Sequence, residues 1–198
     1  MKSLTNKNII LAVSGSIAAY KSPDIVRRLQ DLGAEVRVIL TDGGAKFITE
    51  LSLQAISKNK VHSNLWDNEA ELSMGHIELA KWADAILIAP ASANIISNLS
   101  SGKACDLVTS VVLASDCPIL VAPSMNQQMY ASKALNENLS LLEKRGYVII
   151  KPDYGEQACG DIGLGRLVEA TKIAQTVAEL YTITKLTGKK VLITLGAT

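Results

Sequence analysis

The sequence predicts an α/β fold in three layers, a parallel β-sheet with helices on both faces. Two observations carry this. Short apolar runs recur along the chain, several apolar at every position, as strands buried on both faces require. Between them lie segments whose apolar residues return at helical spacing. Strand and helix in alternation give parallel pairing through crossover helices, the Rossmann-like (flavodoxin-like) arrangement.

The first strand is Ile9-Ile10-Leu11-Ala12-Val13. Pro23 to Leu32 then carries Ile25, Val26, Leu29 and Leu32 at helical spacing and stops at Gly33. Val36 to Leu40, Ala85 to Ala89, Ile119 to Ala122 and Val148 to Ile150 are the next strands. Lys133 to Arg145, with Leu135, Leu139 and Leu142, is a helix ending at Gly146. Glu169 to Tyr181, with Ile173, Val177 and Leu180, is another. A new apolar run, Val191-Leu192-Ile193-Thr194, and a Gly-containing turn follow. The expected organisation is a domain over 1–186, with 187–198 the stub of a second, truncated nucleotide-binding unit. There is no repeat or low-complexity tract.

Composition narrows the function. The chain has 198 residues, 48% hydrophobic and 20% charged, with a net charge of +1. That is ordinary for a globular domain and gives no electrostatic pull toward nucleic acid or an anionic membrane. Aromatics at 4% argue against base-stacking surfaces. No apolar stretch approaches the roughly 20 residues needed to span a bilayer. The cysteines, Cys105, Cys117 and Cys159, match no disulfide or zinc spacing. With no apolar leader at Met1 to Lys7, the thiols read as reduced and the protein as cytoplasmic.

The segment Ala158 to Arg166 holds three glycines and Cys159 in nine residues, right after Pro152-Asp153-Tyr154-Gly155. Glycine weakens both helix and strand, so the interior of neither is expected. The segment reads as a mobile loop that delivers a thiol to a ligand, or as a surface loop with an incidental cysteine.

Ser14-Gly15-Ser16-Ile17-Ala18-Ala19-Tyr20-Lys21 follows the first strand and opens a helix, which suits a phosphate. With one glycine it fits a mononucleotide better than a dinucleotide, and the alternative is a plain turn with a Ser cap. Thr41-Asp42-Gly43-Gly44 and Ala89 to Asn94 end later strands, so Thr41, Ser92 and Asn94 converge on the same sheet edge. Each can also be a helix cap. Pro123 to Tyr130 follows another strand, where Asn126 either caps the next helix or presents its amide to a substrate. His76, beside Gly75 at a helix start, is a candidate base against the commoner structural role. No further His or Cys stands at ligand spacing, so no metal is expected.

Together these motifs resemble the homo-oligomeric flavin-containing cysteine decarboxylases. Within that family the likeness is greatest to the phosphopantothenoylcysteine decarboxylase domain of the bifunctional coenzyme A enzymes. The carriers are Ser14 to Lys21, Gly75 to Leu79, Pro90 to Asn94, Pro123 to Tyr130 and Ala158 to Arg166. The resemblance implies FMN, with Gly15, Ser16 and Ile17 at its phosphate. Thr41, Phe47, Ser92, Ala93, Asn94 and Ser124 would line the rest, with Asp106 nearby. His76 would be the base, Asn126 the holder of the substrate carboxylate or amide, and Cys159 the proton donor on a clamp. Met125, Ala158, Gly160 and Asp161 would complete the substrate site, and Arg166 would secure the clamp or an anionic group.

The implied reaction converts 4′-phosphopantothenoylcysteine to 4′-phosphopantetheine. FMN oxidises CH2–SH to a thioaldehyde, CO2 leaves to give an enethiol, and the reduced flavin returns the hydride. The resemblance also implies trimers, or dodecamers of four trimers, with sites between subunits, and makes the stub the start of a phosphopantothenate–cysteine ligase. The sequence departs from the family at Leu164, where many relatives have proline, and at Tyr130, where several have tryptophan. Cys159 argues against a flavin prenyltransferase of the same fold. The ligase-like stub argues against a peptidyl-cysteine decarboxylase. The lack of acidic tails argues against a regulatory flavoprotein bound to a protein phosphatase.

Overall fold

A computed structural model describes residues 3–66 and 75–182. Asn8–Val13 forms β1. A 3-10 turn, Ile17–Lys21, leads into α1 (Ser22–Asp31), with Pro23 in the first helical turn, where its fixed φ suits the helix. The chain leaves α1 through Gly33 at φ +98°, a left-handed conformation that glycine adopts without strain. β2 (Glu35–Leu40), α2 (Glu50–Ser57) and the two-residue β3 (Val61–His62) follow. Next come α3 (Gly75–Trp82), β4 (Ala85–Ala91), α4 (Ala93–Ser100) and α5 (Leu107–Ala114). Then β5 (Ile119–Pro123), α6 (Gln127–Ala131), α7 (Lys133–Lys144) and β6 (Val148–Ile149) complete the sheet. β7 (Asp153–Glu156), β8 (Ile162–Arg166) and α8 (Ala170–Glu179) end the described chain.

The six-stranded sheet is parallel throughout, in the order β3-β2-β1-β4-β5-β6. Setting aside the short edge strand β3 leaves the flavodoxin-like order. The topology reverses between β1 and β4, and the crevice beyond their carboxyl ends is where such sheets bind ligands. Alternate strand residues divide two cores. Ile9, Leu11 and Val13 of β1 and Leu87 of β4 face α1, α2 and α8, through Ile25, Leu29, Leu53, Ile173 and Val177. Ile10, Ile86 and Ile88 face α3, α4, α5 and α7, through Leu79, Ile96, Val111 and Leu142. The three-layer expectation therefore holds, and its physical cause is visible: both faces of the central strands are apolar because both are covered.

One expectation fails. The Ala158 to Arg166 segment is not a loop throughout, because Ile162–Arg166 is β8, paired antiparallel with β7 in a separate hairpin. Its glycines serve close approach rather than looseness. A Cβ on Gly163 would collide with the Gln127 side chain, and one on Gly165 with the Met125 carbonyl. Glycine inside a strand marks a place where another backbone or side chain comes near. The predicted stub, 187–198, and the last residues assigned to the domain, 183–186, lie outside the described residues.

Where the described chain ends, it is tied down. The Tyr181 hydroxyl donates to the Asp84 carbonyl at 2.8 Å, and the Lys7 ammonium lies 4.6 Å from the ring centroid. Burial, followed by the charges of Asp84 and Cys117, pushes the phenol from 10.0 up to about 12. A value raised by folding means that the contribution is complete below pH 10 and is lost as pH rises toward about 12. We expect urea midpoints of wild type and Tyr181→Phe to differ by a constant amount below that window. The gap should close within it; a gap that stays constant to the top of the window contradicts the assignment.

Candidate active site

Ser14 joins the two strands at the switch point. Its hydroxyl donates to the Pro90 carbonyl at 2.7 Å and accepts the Ser92 amide at 2.8 Å. Pro90 is accommodated within a central strand because the β4–β5 register shifts between Ile88 and Ala91. The loops after β1 and β4 are thereby locked side by side. Ser16 accepts the Ala18 amide at 3.3 Å and donates to the buried Ser124 hydroxyl at 3.1 Å, bringing in the loop after β5. Thr41 Oγ1 donates to the Val13 carbonyl at 3.2 Å and accepts the Gly44 amide at 3.1 Å.

Two cavities open along this edge. The first, about 520 Å³, is lined by Gly15, Ser16, Ile17, Phe47, Ser124, Met125, Asn126, Ala158, Cys159 and Arg166, among others. The second, about 930 Å³, is lined by Thr41, Asn94 and Asp106, with Leu65 and Trp66. Gly15, Ser92 and Ala93 line both, so the cavities meet where the first turn after β1 faces the start of α4. The capping readings are also realised. Ser92 caps α4, Asn126 caps α6, and the Asp106 carboxylate accepts both the amide and the hydroxyl of Thr109 in a capping box at α5.

The β7–β8 hairpin lies across the loop after β5. The Met125 amide donates to the Gly165 carbonyl at 3.0 Å, and the Gln127 amide to Gln157 Oε1 at 2.9 Å. Gln157 Nε2 returns a bond to the Leu164 carbonyl at 3.2 Å. The tip turns through Gly160 at φ +85°, with the Gln157 amide donating to the Asp161 carbonyl at 2.8 Å. This sets Cys159 over Asn126. Asn126 Nδ2 donates to Cys159 Sγ at 3.3 Å and to Asp161 Oδ2 at 2.8 Å, while its Oδ1 accepts the Gln128 amide at 2.8 Å. The thiol in turn donates to Asp161 Oδ2 at 3.5 Å. The Asn126 amide is thus fixed in orientation, and a thiol and an amide face one cavity.

At the hairpin base, Arg166 and Lys21 both contact Glu169. The Lys21 ammonium, through its hydrogen bond and its charge, holds the Glu169 carboxyl below its ordinary 4.5, with Arg166 adding to the effect.

Most of the residues expected at the site line the two cavities. Gly160 and Asp161 do not, although Asp161 holds two residues that do. His76 lines neither: it is half-buried in the first turn of α3. Sequence reasoning missed Gln157, for which no pattern exists. It also gave no individual role to Lys21 at the end of the Ser14 to Lys21 segment, or to Glu169, whose pairing across 148 positions is legible only in three dimensions. Among the described residues no cluster of His, Cys, Asp or Glu could hold a metal ion, and no helix is long and apolar enough to cross a membrane.

A family model described as Flavoprotein matches residues 1–182. The chain belongs to the flavoprotein family. It is 48% identical over 198 residues to the coenzyme A biosynthesis bifunctional protein CoaBC of Vibrio vulnificus (strain YJ016), covering 100% of this chain and 49% of that protein. The chain therefore spans about half the length of the curated relatives it matches. A PPC decarboxylase, in a cysteine-to-serine variant complexed with pantothenoylaminoethenethiol, superposes with a TM-score of 0.78 at 32% identity, covering 88% of this chain and 98% of that one. The FMN binding protein AtHal3 superposes at 0.76 with 33% identity, covering 88% and 96%.

The residues present fit a flavin nucleotide. The joined cavities have the size and the mixed apolar and hydroxyl lining that such ligands occupy. At their junction the turn after β1 and the first amides of α4, which lack intrahelical acceptors, suit a phosphate.

The hairpin supplies a structural prediction. Gly165 sits at φ +133°, and its added Cβ would meet the Met125 carbonyl. Gly165→Ala should weaken hairpin docking by about 1–3 kcal/mol. Hydrogen exchange at the Met125 amide, which donates to Gly165, should speed up accordingly; unchanged protection would show that the hairpin is not held there.

Proposed function

We propose that this chain is an FMN-dependent decarboxylase that converts 4′-phosphopantothenoylcysteine to 4′-phosphopantetheine in coenzyme A biosynthesis. The observation that carries the reading is the Cys159–Asn126–Asp161 cluster at the mouth of a cavity in a flavoprotein fold. Its similarity to a PPC decarboxylase and to bifunctional CoaBC proteins supports it further.

FMN, when bound, supplies reversible hydride transfer, so that the substrate's CH2–SH carbon becomes an electron sink while CO2 departs. Gly15, Ser16, Ile17, Ser92 and Ala93 would hold the cofactor phosphate. Thr41, Phe47, Asn94, Asp106 and Ser124 would flank the remainder. Asn126, its amide oriented by Asp161 and Gln128, would hold the substrate carboxylate or amide. Met125, Ala158 and Gly160 would shape the channel under the clamp. His76 would accept the thiol proton as the carbon gives up hydride. Cys159 would give a proton to the enethiol on its return to the saturated thiol. The hairpin closes water out of the cavity while these intermediates persist.

Because His76 lies outside both cavities of one chain, it would reach the site from a neighbouring copy, as in the trimers or dodecamers that the family resemblance implies. That the bifunctional relatives run to about twice this length supports reading 187–198 as the beginning of a ligase domain, and the same reading would place the enzyme in the cytoplasm. The test is CO2 release from 4′-phosphopantothenoylcysteine by the FMN-loaded protein under anaerobic conditions. Sustained release supports the proposal, and intact substrate beside bound FMN refutes it.

A further inference from the structure

At the end of the hairpin remote from Cys159, two cations converge on one carboxylate oxygen. Lys21 Nζ lies 3.0 Å and Arg166 Nη2 3.4 Å from Glu169 Oε1. Both cations line the first cavity and Glu169 does not. The Lys21 side chain is only 15% exposed, whereas that of Glu169 is 59% exposed. Gly155 makes room for Arg166, since a Cβ there would lie 3.4 Å from both its Cδ and its Nη1. Asp153, the register partner of Arg166, is paired to Lys172 at 3.8 Å and does not line the cavity. Glu156, the carboxylate that does, is paired with Ile162 at the tip end. The cavity is therefore polarised, with positive charge at the hairpin base and a thiol, an amide and a carboxylate toward its tip.

We propose that Lys21 and Arg166 form a subsite for a phosphomonoester dianion at the far end of the substrate, and that Glu169 is the carboxylate it displaces. The inference rests on the decarboxylase reading for its choice of ligand. An ion pair to an exposed carboxylate contributes little, so a dianion that accepts from both cations exchanges for it favourably. The guanidinium fork of Arg166 matches phosphate oxygens, and Lys21 adds a point charge. Length agrees. From Ile162 to Arg166 a strand advances about 13 Å, with Cys159 beyond in the turn. The phosphorus and sulfur atoms of the extended substrate stand about 15 Å apart by ordinary bond lengths. The cofactor phosphate has its own place at the junction of the cavities, so the two anions do not compete.

The test is calorimetric titration of the FMN-loaded protein with 4′-phosphopantetheine and, separately, pantetheine. Wild type should bind the phosphorylated compound more tightly. Lys21→Met and Arg166→Gln should each weaken that binding about tenfold or more while leaving pantetheine unchanged, the loss expected for a charged hydrogen bond. Glu169→Gln should act in the opposite direction and tighten phosphorylated binding alone. A merely structural ion cluster predicts that all three variants weaken both compounds, and that result overturns the proposal. So does equal or undetectable binding of the two compounds by wild type. Loss of FMN on gel filtration of the Lys21 and Arg166 variants would assign the cations to the cofactor phosphate, and also overturns it. The enzymatic reading fails on separate grounds: absent CO2 release with the phosphate preference intact would sink the reading and leave the subsite standing.

Discussion

Cys159→Ser is expected to release CO2 from 4′-phosphopantothenoylcysteine while forming about a hundredfold to ten-thousandfold less 4′-phosphopantetheine, the range for a displaced general acid. Oxidation of CH2–SH and departure of CO2 need no proton from the clamp. The return to a saturated thiol does, and the proposed donor is Cys159, held 3.3 Å from Asn126 Nδ2. A serine hydroxyl keeps the shape and remains a far weaker acid than a thiol. The oxidised enethiol should therefore accumulate, detectable by mass and by its absorbance. Full yield of reduced product from Cys159→Ser would remove the proton-donor role.

His76→Asn is expected to lower CO2 release itself by a similar factor, because the proposed base would act before carbon dioxide departs. FMN should stay bound, since none of the residues proposed to hold its phosphate is altered. Location adds a sharper expectation. If the site takes His76 from one copy and Cys159 from another, unfolding and co-refolding His76→Asn with Cys159→Ser restores part of the activity that each lacks alone. A mixed preparation no more active than its components contradicts the shared site, and unchanged turnover by His76→Asn removes the residue from the mechanism.

How much of this was legible before the structure depends on the range of the interactions. β1, β4 and β5 are readable because they are apolar on both faces, β2 because Val36, Val38 and Leu40 keep one face apolar, and α1, α7 and α8 because one face repeats at helical spacing. β3 is not readable: two residues carry no period, and only pairing with Val38 and Ile39 makes a strand of them. The hairpin departs from its loop-like sequence for a physical reason. Gly160, Gly163 and Gly165 lower the strand propensity of the segment, yet the hairpin forms because each glycine admits a turn or a close neighbour that a side chain would block. Local preference and tertiary need point in opposite directions there.

The same division holds at the site. Ser14 to Ile17, Ser92 to Asn94 and Asn126 announce themselves as strand-end loops, and the topology brings them to one edge. Lys21 ends the Ser14 to Lys21 segment, but nothing in the sequence marks Glu169 as its partner. Their meeting depends on α8 returning to pack on α1, a contact that no spacing in the sequence encodes. His76 stands out by its neighbours in the sequence, but its distance from the cavities is a property of the folded chain alone.

The most direct test of the decarboxylase assignment is mass analysis of 4′-phosphopantothenoylcysteine after anaerobic incubation with the FMN-loaded protein, with no oxidant or reductant added. A product lighter by CO2 alone, with its thiol fully reduced and formed over many turnovers, is expected. Unchanged substrate beside bound FMN, or a product that stops two hydrogens short in the wild-type protein, would contradict it.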